Sequence, residues 1–152
     1  LFKLYRTTGN VLYADLLRDV IHAHAEGVQP NGKITERLTY CDADSRGSRG
    51  DGGKTGWNET NGALMALEIP GIYVRTDLGT GYTFDHVEMK EIKKTGGSLK
   101  LVLCNPTMFD ATVTVLAEDK SQAGKPLGDN AFWDWKQKVT IKAGKTITVK
   151  IR

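Results

Sequence analysis

Glu59 stands two residues after Trp57, at the start of a helix predicted over residues 58–68 and directly behind a polar loop. A carboxyl held against an indole is desolvated, which raises its pKa and keeps its proton available for donation. The Trp57 indole also offers a face on which a sugar ring can stack. Cleavage of a glycosidic bond needs such an acid and a second carboxylate on the other side of the ring. Asp44 and Asp42, across the loop, are the candidates for that second role. A plainer account is favoured on the residues alone: an acid in a first helical turn is stabilised by the helix dipole, and Trp57 is then core.

Other chemistry-bearing residues give weaker signals. Asp42-Ala43-Asp44-Ser45-Arg46-Gly47 opens like an EF-hand loop, but Arg46 falls where a third oxygen ligand belongs and Gly53 where the closing Glu belongs. That excludes a site of this type, so no metal is expected; an irregular calcium site on Asp42, Asp44 and Asp51 is a minor alternative. Arg49-Gly50-Asp51 spells an adhesion tripeptide without supporting context, and Asn58-Glu59-Thr60 is a formal glycosylation sequon. His22 and His24 are two apart on a helix and cannot share one metal; for these and His86, packing is the expected role. Phe132, Trp133 and Trp135 form an aromatic cluster in which both indoles share a strand face. Exposed, they would make a sugar-stacking platform; buried, they are core, the commoner fate of Trp.

The elements that must position these residues fall into two parts. Leu1, Phe2, Leu4 and Tyr5 have helical spacing, broken at Thr7-Thr8-Gly9-Asn10, and the chain therefore opens as though inside a longer helical assembly. Asn10 caps a second predicted helix whose apolar face is Tyr13, Leu16, Leu17, Val20, Ile21 and His24, with Asp15, Arg18 and Asp19 opposite. Gly27 and Pro30 end it. Two helices of this length cannot bury that stripe alone, so it needs a partner: the β-part or further helices. A short strand is predicted over Ile34–Tyr40, and residues 41–56 are an apolar-poor loop of a length that is commonly either functional or disordered.

Beyond Pro70-Gly71 the periodicity changes to two. Strands are predicted over Ile72–Arg75, Tyr82–Val87 and Glu88–Lys93, through Leu99, Leu101 and Leu103, and through Ala111, Val113 and Val115. A hairpin is expected around Ala143-Gly144-Lys145, between Val139/Ile141 and Ile147/Val149/Ile151. The fold expected is α+β: a short N-terminal helical hairpin segment with a long polar loop over 1–70, then a mostly antiparallel β-sandwich over 71–152.

The 152 residues carry a net charge of +3, with basic residues spread along the sequence. Nucleic-acid binding is therefore not expected. No apolar run approaches membrane-helix length, and no signal peptide is evident. Cys41 and Cys104 leave two accounts open, a long-range disulfide or two buried thiols.

Several longer phrases resemble one group of proteins. Leu4-Tyr5-Arg6-Thr7-Thr8-Gly9, Tyr13-Ala14-Asp15-Leu16-Leu17-Arg18, Trp57-Asn58-Glu59, Glu68-Ile69-Pro70-Gly71-Ile72-Tyr73-Val74 and Phe84-Asp85-His86-Val87, in this order, resemble bacterial glycoside hydrolase-like proteins of the six-hairpin type. In these a toroid of helical hairpins precedes a C-terminal β-sandwich, and Asn105-Pro106-Thr107-Met108-Phe109-Asp110-Ala111-Thr112-Val113 is similar to a strand of that sandwich. The resemblance implies a secreted or periplasmic polysaccharide-degrading parent without a cofactor. This chain would be its last hairpin plus the sandwich, with a glycan or the remaining helical domain as partner. The alternatives are a non-catalytic carbohydrate-binding module using Trp133 and Trp135 or the Gly-rich loop, and a purely structural or interaction domain.

Overall fold

Residues 1–26, 68–126 and 137–151 are described in a computed structural model of the chain, with side chains of the second helix described through His22. The elements are α1 (Phe2–Thr8), α2 (Val11–Glu26), β1 (Ile72–Arg75), β2 (Thr80–Thr83), β3 (Glu88–Thr95), β4 (Ser98–Cys104), β5 (Ala111–Glu118), α3 (Lys120–Ala123), β6 (Gln137–Ile141) and β7 (Thr146–Ile151). Two sheets form, ordered β2-β1-β5-β6 and β3-β4-β7, with every pairing antiparallel except β1 beside β5. The result is an α+β fold with a sandwich-like pair of sheets behind a short helical segment.

The alternation read from the sequence places the core between the sheets. Leu99, Leu101 and Leu103 on β4 meet Ile72 and Val74 on β1 and Val113 and Val115 on β5, joined by Val87, Ile141, Val149 and Ile151. β1 does not alternate in burial, because all four of its residues are buried. Its inner residues face the other sheet, while Tyr73 packs with the helices in a second cluster with Phe2, Tyr5, Ala14, Leu17 and Phe84. A strand covered on both faces has no wet side to fill with polar residues. The second cluster draws on both sides of Pro70, so the helical segment and the sheet share a core.

Gly9 ends α1 in the left-handed conformation (φ 70°), where a Cβ would be strained, and its N–H reaches the Tyr5 carbonyl. Asn10 starts α2 as expected, its Oδ1 accepting from the Leu12 N–H at 3.1 Å. The buried face of α2 is rotated from the expected one. Ala14 and Leu17 are buried and Tyr13 and Ile21 half-buried, whereas Leu16 and Val20 are 44% and 37% exposed. Small Ala14 lets the helix approach the aromatic sheet face closely; a Leu at the centre of the contact would hold it off.

Two strand expectations need correction. β2 ends at Thr83, and Phe84–Val87 is the crossing between the sheets. Phe84 is buried against the helices and Val87 in the inter-sheet core, so the chain passes from one layer to the other. The expected hairpin at Ala143-Gly144-Lys145 is not one, since β6 pairs with β5 while β7 pairs with β4 in the opposite sheet.

The turn is tied to the neighbouring 105–110 connection instead of to a ladder. Gly144, at φ 64°, donates to the Thr107 carbonyl (3.2 Å), Asn105 N–H to the Lys145 carbonyl (2.9 Å) and Ala143 N–H to Asp110 Oδ1 (3.1 Å). Asn105 is fully buried, and its amide donates to the carbonyls of Phe109 (2.7 Å) and Ile141 (3.0 Å) while its oxygen accepts from Thr107 N–H (3.0 Å). The strand predicted over Ile34–Tyr40 and the helix over 58–68, apart from Glu68, lie outside the described residues.

Asn105→Ala should strand those buried backbone groups and cost about 2–3 kcal/mol. Asp110→Ala removes an exposed pair with Lys142 and one exposed bond from the Ala143 N–H, both of which water can replace, and should cost clearly less than Asn105→Ala. Urea unfolding checks both, with the midpoint moving and the slope unchanged; an Asn105 effect no larger than that of Asp110 would contradict the corner's role.

Candidate functional site

Glu59, Asp44, Trp57, Trp133 and Trp135 all lie outside the described residues, as do Asp42, Asp51 and Cys41. Cys104 is half-buried at the end of β4. Of the histidines, His86 lies in the sheet-to-sheet crossing rather than in a strand, and its ring stacks on that of His22 at 6.3 Å between centroids. Among the described residues no group of three or more His, Cys, Asp or Glu could hold a metal ion. No helix there is long and apolar enough to cross a membrane.

The chemistry that the described residues do concentrate lies at the seam between helices and sheet. Arg6 points from α1 into the sheet and is 3% exposed; Glu118, at the end of β5, is 5% exposed. The guanidinium meets the carboxylate through two bonds, Nε to Oε1 at 2.7 Å and Nη2 to Oε2 at 2.8 Å. Tyr73 OH donates to Oε1 at 2.9 Å. Arg6 Nη1 also donates to the Lys125 carbonyl at 3.2 Å, just past α3. That short helix, not foreseen from the sequence, is started by Asp119, whose side chain accepts from Ser121 N–H.

Arg75 extends the network. Its Nη1 donates to the Arg6 carbonyl at 2.8 Å, and its Nε and Nη2 grip Asp77 at 2.9 and 2.8 Å. The bond to Arg75 holds the Asp77 carboxyl below the usual carboxylate range. Burial, reinforced by the bond to Glu118, pushes the Tyr73 phenol far above its ordinary value. Burial and then the bond to Asp15 (2.6 Å) push Tyr82 up to about 12.

This arrangement clamps the helices to the sheet. The Glu118 carboxylate is engaged by Arg6 and Tyr73, with little of it reachable by solvent, so it is not placed to donate a proton to a substrate oxygen. Around the clamp, Phe2, Tyr5, Tyr73, Tyr82 and Phe84 pack edge-on or tilted at centroid distances from 4.9 to 6.4 Å, a favoured aromatic geometry. Sequence reasoning missed Arg6, Arg75 and Glu118. The available signal was a charge set directly within an aromatic or β-branched run, as in Phe2–Arg6 and Ile72–Arg75.

The other face of the helical layer is apolar and open. Leu4, Val11, Leu12 and Leu16 are 48%, 54%, 55% and 44% exposed. On α2 the buried and open apolar residues from Val11 to Ile21 together sweep roughly 260° of the helix circumference at 3.6 residues per turn, and the sheet covers only part of that arc. No family model, curated protein or solved structure matches this chain.

Arg6→Met leaves Glu118 buried without its cation and should cost about 3–5 kcal/mol; adding Glu118→Leu should recover much of it. A double variant no more stable than the single one, by urea unfolding, would contradict the clamp. The phenols of Tyr5, Tyr73 and Tyr82 all have raised pKa values, so the folded state holds their protons more tightly than the unfolded one. Their stabilising contribution is whole below the ordinary phenol value of about 10 and drains as pH rises through that of Tyr82 at about 12. The phenolate absorbance of these three residues should therefore rise late and together with unfolding; their full ionisation near pH 10 with the fold intact would refute this.

Proposed function

We propose that this chain is the C-terminal portion of a secreted or periplasmic bacterial glycoside hydrolase-like protein of the six-hairpin type that acts on polysaccharide. In this role the sandwich and its two clamped helices buttress a helical catalytic toroid. The carrying observation is the apolar surface of Leu4, Leu12 and Leu16, turned away from the sheet. A helix that needs only the sheet is polar on its far side; α2 is apolar beyond the contact, as suits a helix packed between a sheet and further helices. The resemblance of phrases that flank both the helices and β1 supports the same assignment.

The commitment of Glu118 to Arg6 and Tyr73 supports a buttress rather than a self-sufficient catalyst. The clamp would fix the last helices so rigidly to the sandwich that forces on the toroid wall are borne by the sheets. The carboxylates for hydrolysis would come from the rest of the helical domain.

This chain, assayed on a panel of plant and bacterial polysaccharides, should release no reducing sugar, and turnover by the chain alone would sink the buttress role. Its open helix face should drive self-association and binding of a hydrophobic dye. Leu12→Glu combined with Leu16→Glu should abolish both without lowering the unfolding midpoint. A wild-type chain that is monomeric at high concentration and does not bind dye would count against helices as the missing cover.

A further inference from the structure

Pairing in the three-stranded sheet brings together lysines that lie far apart in the sequence. Lys93 on β3 is directly opposite Lys100 on β4, and Lys100 is directly opposite Lys150 on β7. Leu99, Leu101, Val149 and Ile151 face the core, so the three lysines share the outer face, and all are exposed. At the usual strand spacing of about 4.8 Å the row spans roughly 10 Å.

Like charges directly opposite one another destabilise a sheet. Lysines on the edge strands β3 and β7 have an ordinary purpose, since they block edge-to-edge aggregation. Lys100 is on the central strand, where no edge needs protecting, and it completes the row. Lys93 has Glu91 at 3.0 Å, an exposed pair, and Lys90 has Glu88 nearby; among the described residues no carboxylate pairs with Lys100 or Lys150.

We infer that this face binds an anionic polysaccharide, a chain of uronic acid residues laid across the strands along the Lys93–Lys100–Lys150 row. The direction follows from the charges. A polyanion running along β3 would pass over Glu91, two residues from Lys93, whereas one crossing the strands meets three lysines and touches that carboxylate only at the Lys93 end, where the two are paired at 3.0 Å; the hydroxyls of Thr95, Ser98 and Thr148 lie beside it. Nucleic acid fits less well, because the outward positions of β3, β4 and β7 hold no aromatic side chain on which a base could stack. The inference rests on the assignment of the parent to polysaccharide and narrows its substrate class to acidic chains.

The test is titration calorimetry of the whole chain with polygalacturonate at low and high salt, against dextran and a DNA duplex. Polygalacturonate should bind at low salt and weaken as salt is added. The triple variant Lys93→Gln, Lys100→Gln, Lys150→Gln should bind roughly tenfold more weakly, with a melting temperature equal to or above that of wild type. Lys100→Arg should retain binding, and Lys138→Gln, in the other sheet, should leave it unchanged. Undiminished binding by the triple variant, equal binding of dextran, or tighter binding of DNA would each overturn the inference. Such failures leave the buttress role standing, since that is decided by hydrolysis and by the helix face. Hydrolysis by the chain would sink the buttress role and leave the lysine row to its own test.

Discussion

A buried guanidinium facing a buried carboxylate constrains the rest of this structure. Taking Arg6 and Glu118 out of water costs several kcal/mol for each ion, and that cost is offset only when geometry is good and the remaining polar atoms are bonded. Here the pairing is two-pronged, Tyr73 adds a third bond, and the Lys125 carbonyl takes a further guanidinium proton. These demands restrict α1 to one rotation and one height above the sheet, because a turn of the helix would leave a bare charge inside. Arg75 reinforces the restriction by bonding the Arg6 carbonyl itself. The aromatic cluster then supplies the apolar area, and the ion pair selects which of its packings is allowed.

At the other end of the sandwich a neutral residue has the corresponding role. Asn105 meets the carbonyls of Phe109, in one connection between the sheets, and of Ile141, the β6 residue from which the other connection leaves. Backbone groups at such a corner have no ladder partners, and leaving them buried and unbonded would be costly. One amide satisfies several of them, which is why two tight crossings can lie side by side. The sheets are therefore held in relation to each other by polar bonds at the corner and apolar contact between them.

The molecule has layers with unlike outer surfaces. The helical layer ends in leucines, and the three-stranded sheet ends in a band of lysines. An apolar surface gains by excluding water with another protein surface, while a cationic row on a flat sheet gains by neutralisation with a flexible polyanion. The two proposed contacts lie on different faces and do not compete. A domain that joins a helical enzyme wall on one side can hold an acidic chain on the other.

Much of the β architecture was legible because alternation is local. Ile72–Arg75 and the leucines 99, 101 and 103 needed no knowledge of their neighbours to be recognised as strands, and Gly9 and Asn10 marked the break between helices through their own backbone preferences. Which sheet a strand joins is not local. The Ala143-Gly144-Lys145 turn has the same composition whether it closes a hairpin or an arch, and the Asn105 connection decides for the arch. The open side of α2 was misjudged because periodicity shows how wide an apolar arc is, but not which portion the sheet covers. Lysines scattered through the sequence become a row only when β3, β4 and β7 fall into register, and Arg6 finds Glu118 only across 112 residues of chain. Amino-acid order by itself determined the first two helices and most of the described strands; tertiary structure alone decided charge pairing, the lysine row and the exposed helix face, because each depends on residues brought together from distant parts of the chain.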